Sequence, residues 1–196
     1  MATDPAALRD EPFTPEAVSS ELVFDGKVWD VRRDTFGYNG DELVREYVAH
    51  TGAAAVVAMD EDDRVLLIQQ YRHPIRYRDW EIPAGLLDVS GEPPEHAARR
   101  ELAEEADIAA TEWSALASVF TTPGGNDEVV HIFLARGLSP VPGGYVRGAE
   151  EADIRVEWVP IADVVTAVLQ GRMRNGILSV GVLAAAEHLR RAASGV

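Results

Sequence analysis

Residues 80–108 constrain this chain more than any other stretch, because they join a short apolar strand, a glycine-bearing loop and an acidic helix. Gly85 permits backbone conformations that are closed to other residues. Pro93 and Pro94 are typical of a helix start, where a missing N–H costs little. No strong helix breaker follows over residues 95–106, so we predict a helix there.

One face of this predicted helix is apolar, and acidic residues lie beside it. At about 100° per residue the apolar stripe consists of Ala98, Leu102 and Ala106. Glu101 and Glu105 lie four residues apart at the edge of the stripe, and Glu104 lies further round. Such carboxylates repel one another, whereas Mg²⁺ prefers oxygen ligands of this kind. The alternative is a solvated acidic face on which Arg99 and Arg100 are the surface partners.

The same stretch resembles the Nudix box, a glycine-led motif that ends in a glutamate-rich helix. Gly85 matches its opening and Glu92 its first acid. The closing half is matched by Arg100, Glu101, Leu102, Glu104, Glu105 and Ile108. The chain departs from the motif twice, since six residues rather than five separate Gly85 from Glu92, and Asp107 replaces the closing glycine. Asp tolerates a left-handed helix cap better than most non-glycine residues, so we expect the second change to be mild.

Over about residues 21–186 the chain is similar to the ADP-ribose pyrophosphatase branch of the Nudix hydrolases. The segments that carry this resemblance are Arg45-Glu46, QQYRHP at 69–74, WEIPAGLLD at 80–88, Pro123 and EEADI at 150–154. Their order and spacing, rather than any one of them, make the resemblance specific.

The resemblance implies a metal site that holds Mg²⁺ or Mn²⁺. Its ligands would be the carbonyl of Ala84 and the carboxylates of Glu101 and Glu105, with Glu104 in the same cluster. Glu101 and Glu105 would therefore count among the catalytic residues. Divalent ions neutralise a diphosphate and lower the pKa of bound water.

A further catalytic glutamate is expected on the acidic loop near residue 150. Family members carry such a residue before the penultimate strand, where it orients or deprotonates the attacking water. Glu151 is our first choice for this role and Glu150 is the second. The alternative is that this acidic loop is a solvated surface.

The resemblance also implies a set of substrate-binding residues, namely Trp29, Arg45, Arg72, Glu46 and Glu81. Arg72 would contact phosphate, for which the guanidinium fork is well suited. The alternative for Arg72 is a salt bridge with Glu81 or Asp79. Trp29 or Phe36 would stack the base, although Trp29 is equally suited to a hairpin core or a dimer interface.

These patterns together predict an α/β fold, namely a Nudix-type α/β/α sandwich with a mixed β-sheet. A small antiparallel β unit is expected to precede it. We expect residues 1–16 to form a flexible arm and residues 17–50 a β unit for dimerisation and base recognition. Residues 51–196 would form the Nudix hydrolase domain. Asn39-Gly40, between two β-rich runs, predicts a hairpin in the first unit.

Further elements of the main domain follow from local pattern. We predict strands at residues 53–59, 65–71, 80–83, 113–121, 128–135 and 154–159. We predict two further helices at residues 161–169 and 176–193, and a Pro/Gly-rich surface loop at residues 137–148.

Charge and composition exclude several classes of partner. The net charge of −15 argues against a nucleic acid, and the longest apolar runs are too short to span a bilayer. The absence of cysteine excludes disulfides and fits a reducing cytoplasm, and no signal peptide is visible. We expect a homodimer that forms through the N-terminal strands and acts on a small nucleoside diphosphate sugar.

The function that this resemblance implies is the hydrolysis of ADP-ribose to AMP and ribose 5-phosphate. The alternatives are a pyrophosphatase for another nucleoside diphosphate sugar, such as a GDP-hexose, and a Nudix-fold ligand-binding module without turnover. A purely structural acidic domain that binds cations is a third possibility.

Overall fold

The chain consists of two compact units. The computed structural model describes residues 7–15, 18–145, 148 and 153–195. The first unit comprises Met1–His50 and Gly124–Asn126, and the second comprises Thr51–Pro123 and Asp127–Val196.

The first unit is a three-stranded antiparallel sheet in the order β1-β2-β3. Its strands are β1 (Ser19–Phe24), β2 (Asp30–Tyr38) and β3 (Asp41–Ala49). Asn39 and Gly40 connect β2 to β3 with φ angles of 54° and 88°, which confirms the predicted hairpin. Positive φ at both central residues matches the twist of the flanking strands. No residue of these three strands is fully buried.

The second unit carries two sheets and three helices. Its strands are β4 (Ala53–Ala58), β5 (Arg64–Arg72), β6 (Tyr77–Glu81), β7 (Ala84–Leu86), β8 (Ile108–Phe120), β9 (Val129–Pro140) and β10 (Arg155–Pro160). The helices are α1 (Pro94–Ala106), α2 (Ile161–Leu169) and α3 (Gly176–Ser194). One sheet has the order β7-β4-β9-β8, in which only β4 and β9 are parallel, and the other has the antiparallel order β10-β5-β6. The predicted mixed sheet is thus confirmed.

The core has two layers because β4 is buried on both faces. Alternate residues of a strand point to opposite sides of the sheet. Ala55 and Val57 therefore pack with Leu178 and Val182 of α3, whereas Val56 packs on the other side with Leu102 of α1. This two-sided burial explains the continuous apolar run at residues 53–59, and it gives the sandwich of helices around a sheet that the sequence predicted.

The three helices lie where periodicity predicts them. Helix α2 has the predicted bounds, and α3 ends one residue later than predicted. Asp107 caps α1 in the left-handed conformation, with φ 55° and ψ 34°. Its Oδ1 accepts a hydrogen bond from the Tyr145 N–H at an N···O distance of 2.7 Å. In the described part of the chain, no helix is long and apolar enough to cross a membrane.

Strands β8 and β9 are longer than the sequence predicts. Strand β8 begins at Ile108 rather than residue 113, and β9 continues to Pro140 through the first part of the predicted loop. Their far ends pair with each other, since Ile108 is opposite Pro140. Gly137 lies within β9 at φ 64°, where a Cβ would come within 2.1 Å of Thr111 Oγ1. The glycine that suggested a loop instead allows two strands to approach closely.

Candidate active site

Glu105 is the most deeply buried acid of the predicted cluster. It lies on the buried side of helix α1 and is only 5% exposed. Its Oε2 accepts a hydrogen bond from the Ala84 N–H at an N···O distance of 2.9 Å. Burial raises the pKa of Glu105 to about 8, although the Ala84 N–H opposes the shift, and the negative charges of Glu101 and Glu81 raise it further. The metal-free fold therefore favours the protonated form of this carboxyl at neutral pH.

Gly85 is required in this site because Glu101 approaches its backbone closely. A Cβ at Gly85 would lie 2.0 Å from Glu101 Oε1. Gly85 lies in β7, opposite Ala54, and it is not among the residues with positive φ. Our expectation that a special backbone conformation requires this glycine is therefore wrong. The structure instead requires space above β7 for a carboxylate.

Arg100 joins the carboxylates that border this cluster. Its guanidinium forms ion pairs with Glu92, Glu101 and Glu104. Glu101 is largely buried, whereas the Glu104 side chain is 39% exposed. Arg99 turns away from this group and pairs with Glu95 on the same helix. The predicted surface partnership therefore holds for Arg100 and Glu104, but Glu101 and Glu105 do not form a solvated face.

Arg72 and Glu81 face the same cluster as a bidentate ion pair. Arg72 Nε and Nη2 donate to the two Glu81 carboxylate oxygens, each at 2.7 Å. Glu81 is only 6% exposed, and both residues act electrostatically on Glu105. The salt bridge that we weighed for Arg72 is thus present with Glu81. Asp79, the other candidate partner, accepts a hydrogen bond from the Asn175 side chain instead.

Gln70 belongs to this cluster, although the sequence did not lead us to predict it as a site residue. Its amide Nε2 donates to Glu81 Oε2 at 3.5 Å, and the residue is buried. Gln70 and Arg72 are two apart on β5 and so lie on one face of that strand. The sequence signal that could have identified Gln70 is its position within QQYRHP, a segment that forms part of a strand. A polar residue that is buried in a strand needs a hydrogen-bond partner.

The predicted base-binding residues all belong to the first unit. Trp29 stacks on His50 with ring centroids 4.0 Å apart and planes 19° apart. Glu46 forms an ion pair with Arg33, and Arg45 donates to the carbonyl of Val44. Their roles in substrate binding stay predictions. Glu150 and Glu151, the predicted water-orienting residues, lie outside the described residues.

The donors around Glu105 fit a hard divalent cation. Glu101, Glu104, Glu105 and the Ala84 carbonyl offer only oxygen atoms, which Mg²⁺ and Mn²⁺ prefer. In the described ranges, no three acidic or histidine side chains are already gathered around one point. Neighbouring carboxylates raise the pKa of buried Glu105, and a cation would offset this repulsion.

Several known proteins are similar to this chain in sequence or in fold. The family described as the NUDIX domain matches residues 49–178. A protein named ADP-ribose pyrophosphatase from Mycobacterium tuberculosis is 45% identical over 170 residues, which cover 86% of this chain and 82% of the relative. A Bacillus subtilis protein of the same name is 40% identical over 125 residues, covering 63% of this chain and 67% of the relative. The crystal structure of an ADP compounds hydrolase has the same fold, with a TM-score of 0.76 at 22% identity, over 92% of this chain and 97% of the other.

Proposed function

The chain belongs to the Nudix domain family, and from this premise we propose that it is a pyrophosphatase that hydrolyses ADP-ribose to AMP and ribose 5-phosphate. The observation that carries the proposal is the buried carboxylate of Glu105 beside Glu101 and Arg72. Buried like charges cost a fold free energy, so a site that keeps them is suited to a bound cation and an anionic substrate. The 45% identity with a protein named ADP-ribose pyrophosphatase supports the choice of substrate.

The residues that would hold Mg²⁺ or Mn²⁺ are Glu101, Glu104, Glu105 and Ala84, the last through its carbonyl. A divalent cation there supplies neutralisation of the diphosphate charge and a lowered pKa for its bound water. The Ala84 N–H fixes the orientation of the Glu105 carboxylate. Arg100 contacts both Glu101 and Glu104, which keeps these two carboxylates close to each other.

Arg72 is proposed to bind a phosphate of the substrate. Glu81 holds the guanidinium in one orientation through two hydrogen bonds, and Gln70 in turn donates to Glu81. The Arg72 side chain is nevertheless 44% exposed, so it remains accessible to an anion. A guanidinium held in this way loses little conformational entropy when it binds a phosphate.

Glu151 is proposed to orient the attacking water, and Glu150 is the second candidate. The support for both is the resemblance of the EEADI segment at 150–154 to the corresponding loop of the family. A carboxylate near cations has a depressed pKa, which suits it to accept a hydrogen bond from water rather than to act as a strong base.

Base recognition is proposed for the first unit, with Trp29 stacking the base and Arg45 and Glu46 making polar contacts. Phe36 is the alternative stacking residue. We further propose a homodimer assembled through the N-terminal strands and a cytoplasmic location. The exposed apolar side chains of those strands, such as Leu22 and Phe24, support the first of these, and the absence of cysteine supports the second.

A substrate panel with product identification tests the proposal. The protein is incubated with ADP-ribose or GDP-mannose in Mg²⁺ or Mn²⁺, and products are separated by chromatography. We expect AMP and ribose 5-phosphate from ADP-ribose, and at least a hundredfold loss of turnover in Glu105→Gln. Faster turnover of GDP-mannose than of ADP-ribose would show that the substrate is a GDP-hexose instead. Binding of ADP-ribose without any product would make the chain a ligand-binding module.

The assignment of the water-orienting residue has its own test. Glu151→Gln is expected to reduce kcat more than Glu150→Gln does, because only the former removes the proposed acceptor for the water. Equal and minor losses in the two variants would place that role elsewhere.

A further inference from the structure

A recess lies at strand β6, which is the edge strand of its sheet, beside the loop between α2 and α3. Its volume is about 430 Å³, within the range of small-molecule sites. The residues that define its chemistry are Tyr77, Arg78, Trp80, Arg172, Met173 and Arg174. None of its lining residues belongs to the cluster around Glu105.

Two aromatic rings of this recess each have a guanidinium group beside them, one from a lining residue and one from Arg155, outside the lining. The Arg174 guanidinium carbon lies 5.5 Å from the centroid of the Tyr77 ring, and that of Arg155 lies 5.5 Å from the Trp80 ring. Tyr77 is also 57% exposed, so its ring is accessible to a ligand. Aromatic rings beside arginines are suited to stack a planar base.

The charge of the recess is opposite to that of the whole chain. The chain has 33 acidic and 18 basic residues, whereas the recess is lined by three arginines and one acid, Asp79. Asp79 is engaged with the Asn175 side chain, and Arg78 is paired with Asp153. Within the described part of the chain, neither Arg172 nor Arg174 is ion-paired with a carboxylate. Such a positive region in an acidic protein attracts anions, and guanidinium groups bind phosphate well.

The recess and the candidate active site share strand β6 but have no lining residue in common. Trp80 packs against the core layer that contains Leu178 of α3. The next residue, Glu81, instead pairs with Arg72 and acts on Glu105. Neighbouring residues of a strand point to opposite sides, so Arg78 and Trp80 lie on the side away from Glu81. Tyr77, the ladder partner of Arg72, lies on the same side as Glu81.

We propose that this recess is a second binding site, which takes a nucleoside monophosphate with its base on Tyr77 and its phosphate on Arg172 and Arg174. The exposed ring is suited to stack a planar group, and the two arginines without a carboxylate partner are suited to bind an anion of two charges. A nucleoside monophosphate combines both in one molecule of suitable size. The proposal does not depend on hydrolysis of ADP-ribose, because binding is measured without turnover.

Calorimetric titration of the full chain with AMP in EDTA tests the second site. Arg174→Gln and Tyr77→Leu are each expected to weaken AMP binding at least tenfold. Arg76→Gln is the matched control, since it removes the same charge as Arg174→Gln but from the turn between β5 and β6, outside the lining of the recess, and it should leave binding unchanged. Binding should also persist in Arg72→Gln, which alters the candidate active site. Adenosine and ribose 5-phosphate should each bind at least tenfold more weakly than AMP.

Three results would overturn the second site. Equal AMP affinity in the wild type and both recess variants would show that the recess does not bind AMP. Loss of binding in Arg72→Gln alone would assign AMP to the candidate active site. A change of mass in sedimentation on Tyr77→Leu would show that the recess is a contact between copies of the chain. An inactive chain that still binds AMP through the recess would refute only the proposed function.

Discussion

The substitution Glu105→Gln should stabilise the metal-free protein, and the gain in stability over the wild type should increase with pH. The ordinary carboxyl pKa of 4.5 applies to Glu105 in the unfolded chain, whereas burial raises the pKa to about 8 in the folded state. Between these values the folded state binds a proton that the unfolded chain has lost. The stability that depends on this proton is therefore complete below pH 4.5 and is lost as pH rises through about 8.

The size of this effect follows from the difference between the two pKa values. A pKa difference of one corresponds to about 1.4 kcal/mol, so ionisation of Glu105 should cost the metal-free fold roughly 4 kcal/mol between pH 5 and pH 9. Gln has the same shape, does not titrate, and can still accept the Ala84 N–H through its amide oxygen. For a chain of this length, the corresponding difference in Tm between variant and wild type is on the order of 10 °C.

Thermal unfolding in EDTA at several pH values measures this difference directly. The Tm of Glu105→Gln minus that of the wild type should be near zero at pH 5 and should grow toward pH 9. Glu112→Gln removes an exposed carboxylate and serves as the control, with a difference that stays within about 2 °C. A Glu105→Gln difference that does not change with pH would mean that this carboxyl is ionised in the metal-free fold. Saturating Mg²⁺ should then stabilise the wild type more than Glu105→Gln.

Three further substitutions test other parts of the site. Gly85→Ala should displace Glu101 and reduce turnover at least tenfold, whereas Gly176→Ala, where a Cβ meets open space, should leave kinetics unchanged. Arg72→Lys keeps the charge but loses the fork, so steady-state kinetics should show KM raised about tenfold with a smaller change in kcat. Asp107→Ala removes the acceptor of a backbone N–H at a left-handed cap, and urea unfolding should show a loss of about 1–2 kcal/mol. An Asp107→Ala variant as stable as the wild type would contradict that account.

The elements that the sequence predicted well are those with local causes. The hairpin at Asn39-Gly40 follows from two residues that accept positive φ, and α1 follows from proline placement and apolar spacing. The left-handed cap at Asp107 likewise depends on one residue type at one position. Strand lengths were predicted less well, because the ends of β8 and β9 are set by pairing between residues about thirty positions apart.

Within the candidate site, contacts between elements decided what the sequence did not. Gln70 becomes a site residue only because β5 and β6 pair, which brings it to Glu81. The role of Gly85 depends on α1 lying over β7, since the space that it provides is occupied by Glu101. Neither contact joins neighbours in sequence, so periodicity and residue preference carry no signal for them.

The sequence by itself determined the class of chemistry. A glycine-led loop and a glutamate-rich helix place several carboxylates within two helical turns, and this depends only on the repeat of the helix. Tertiary structure alone decided which of these carboxylates is buried, which arginine pairs with which acid, and hence that the pKa of Glu105 is raised in the metal-free fold. Burial and electrostatic interaction depend on distances between elements, and the folded chain sets those distances.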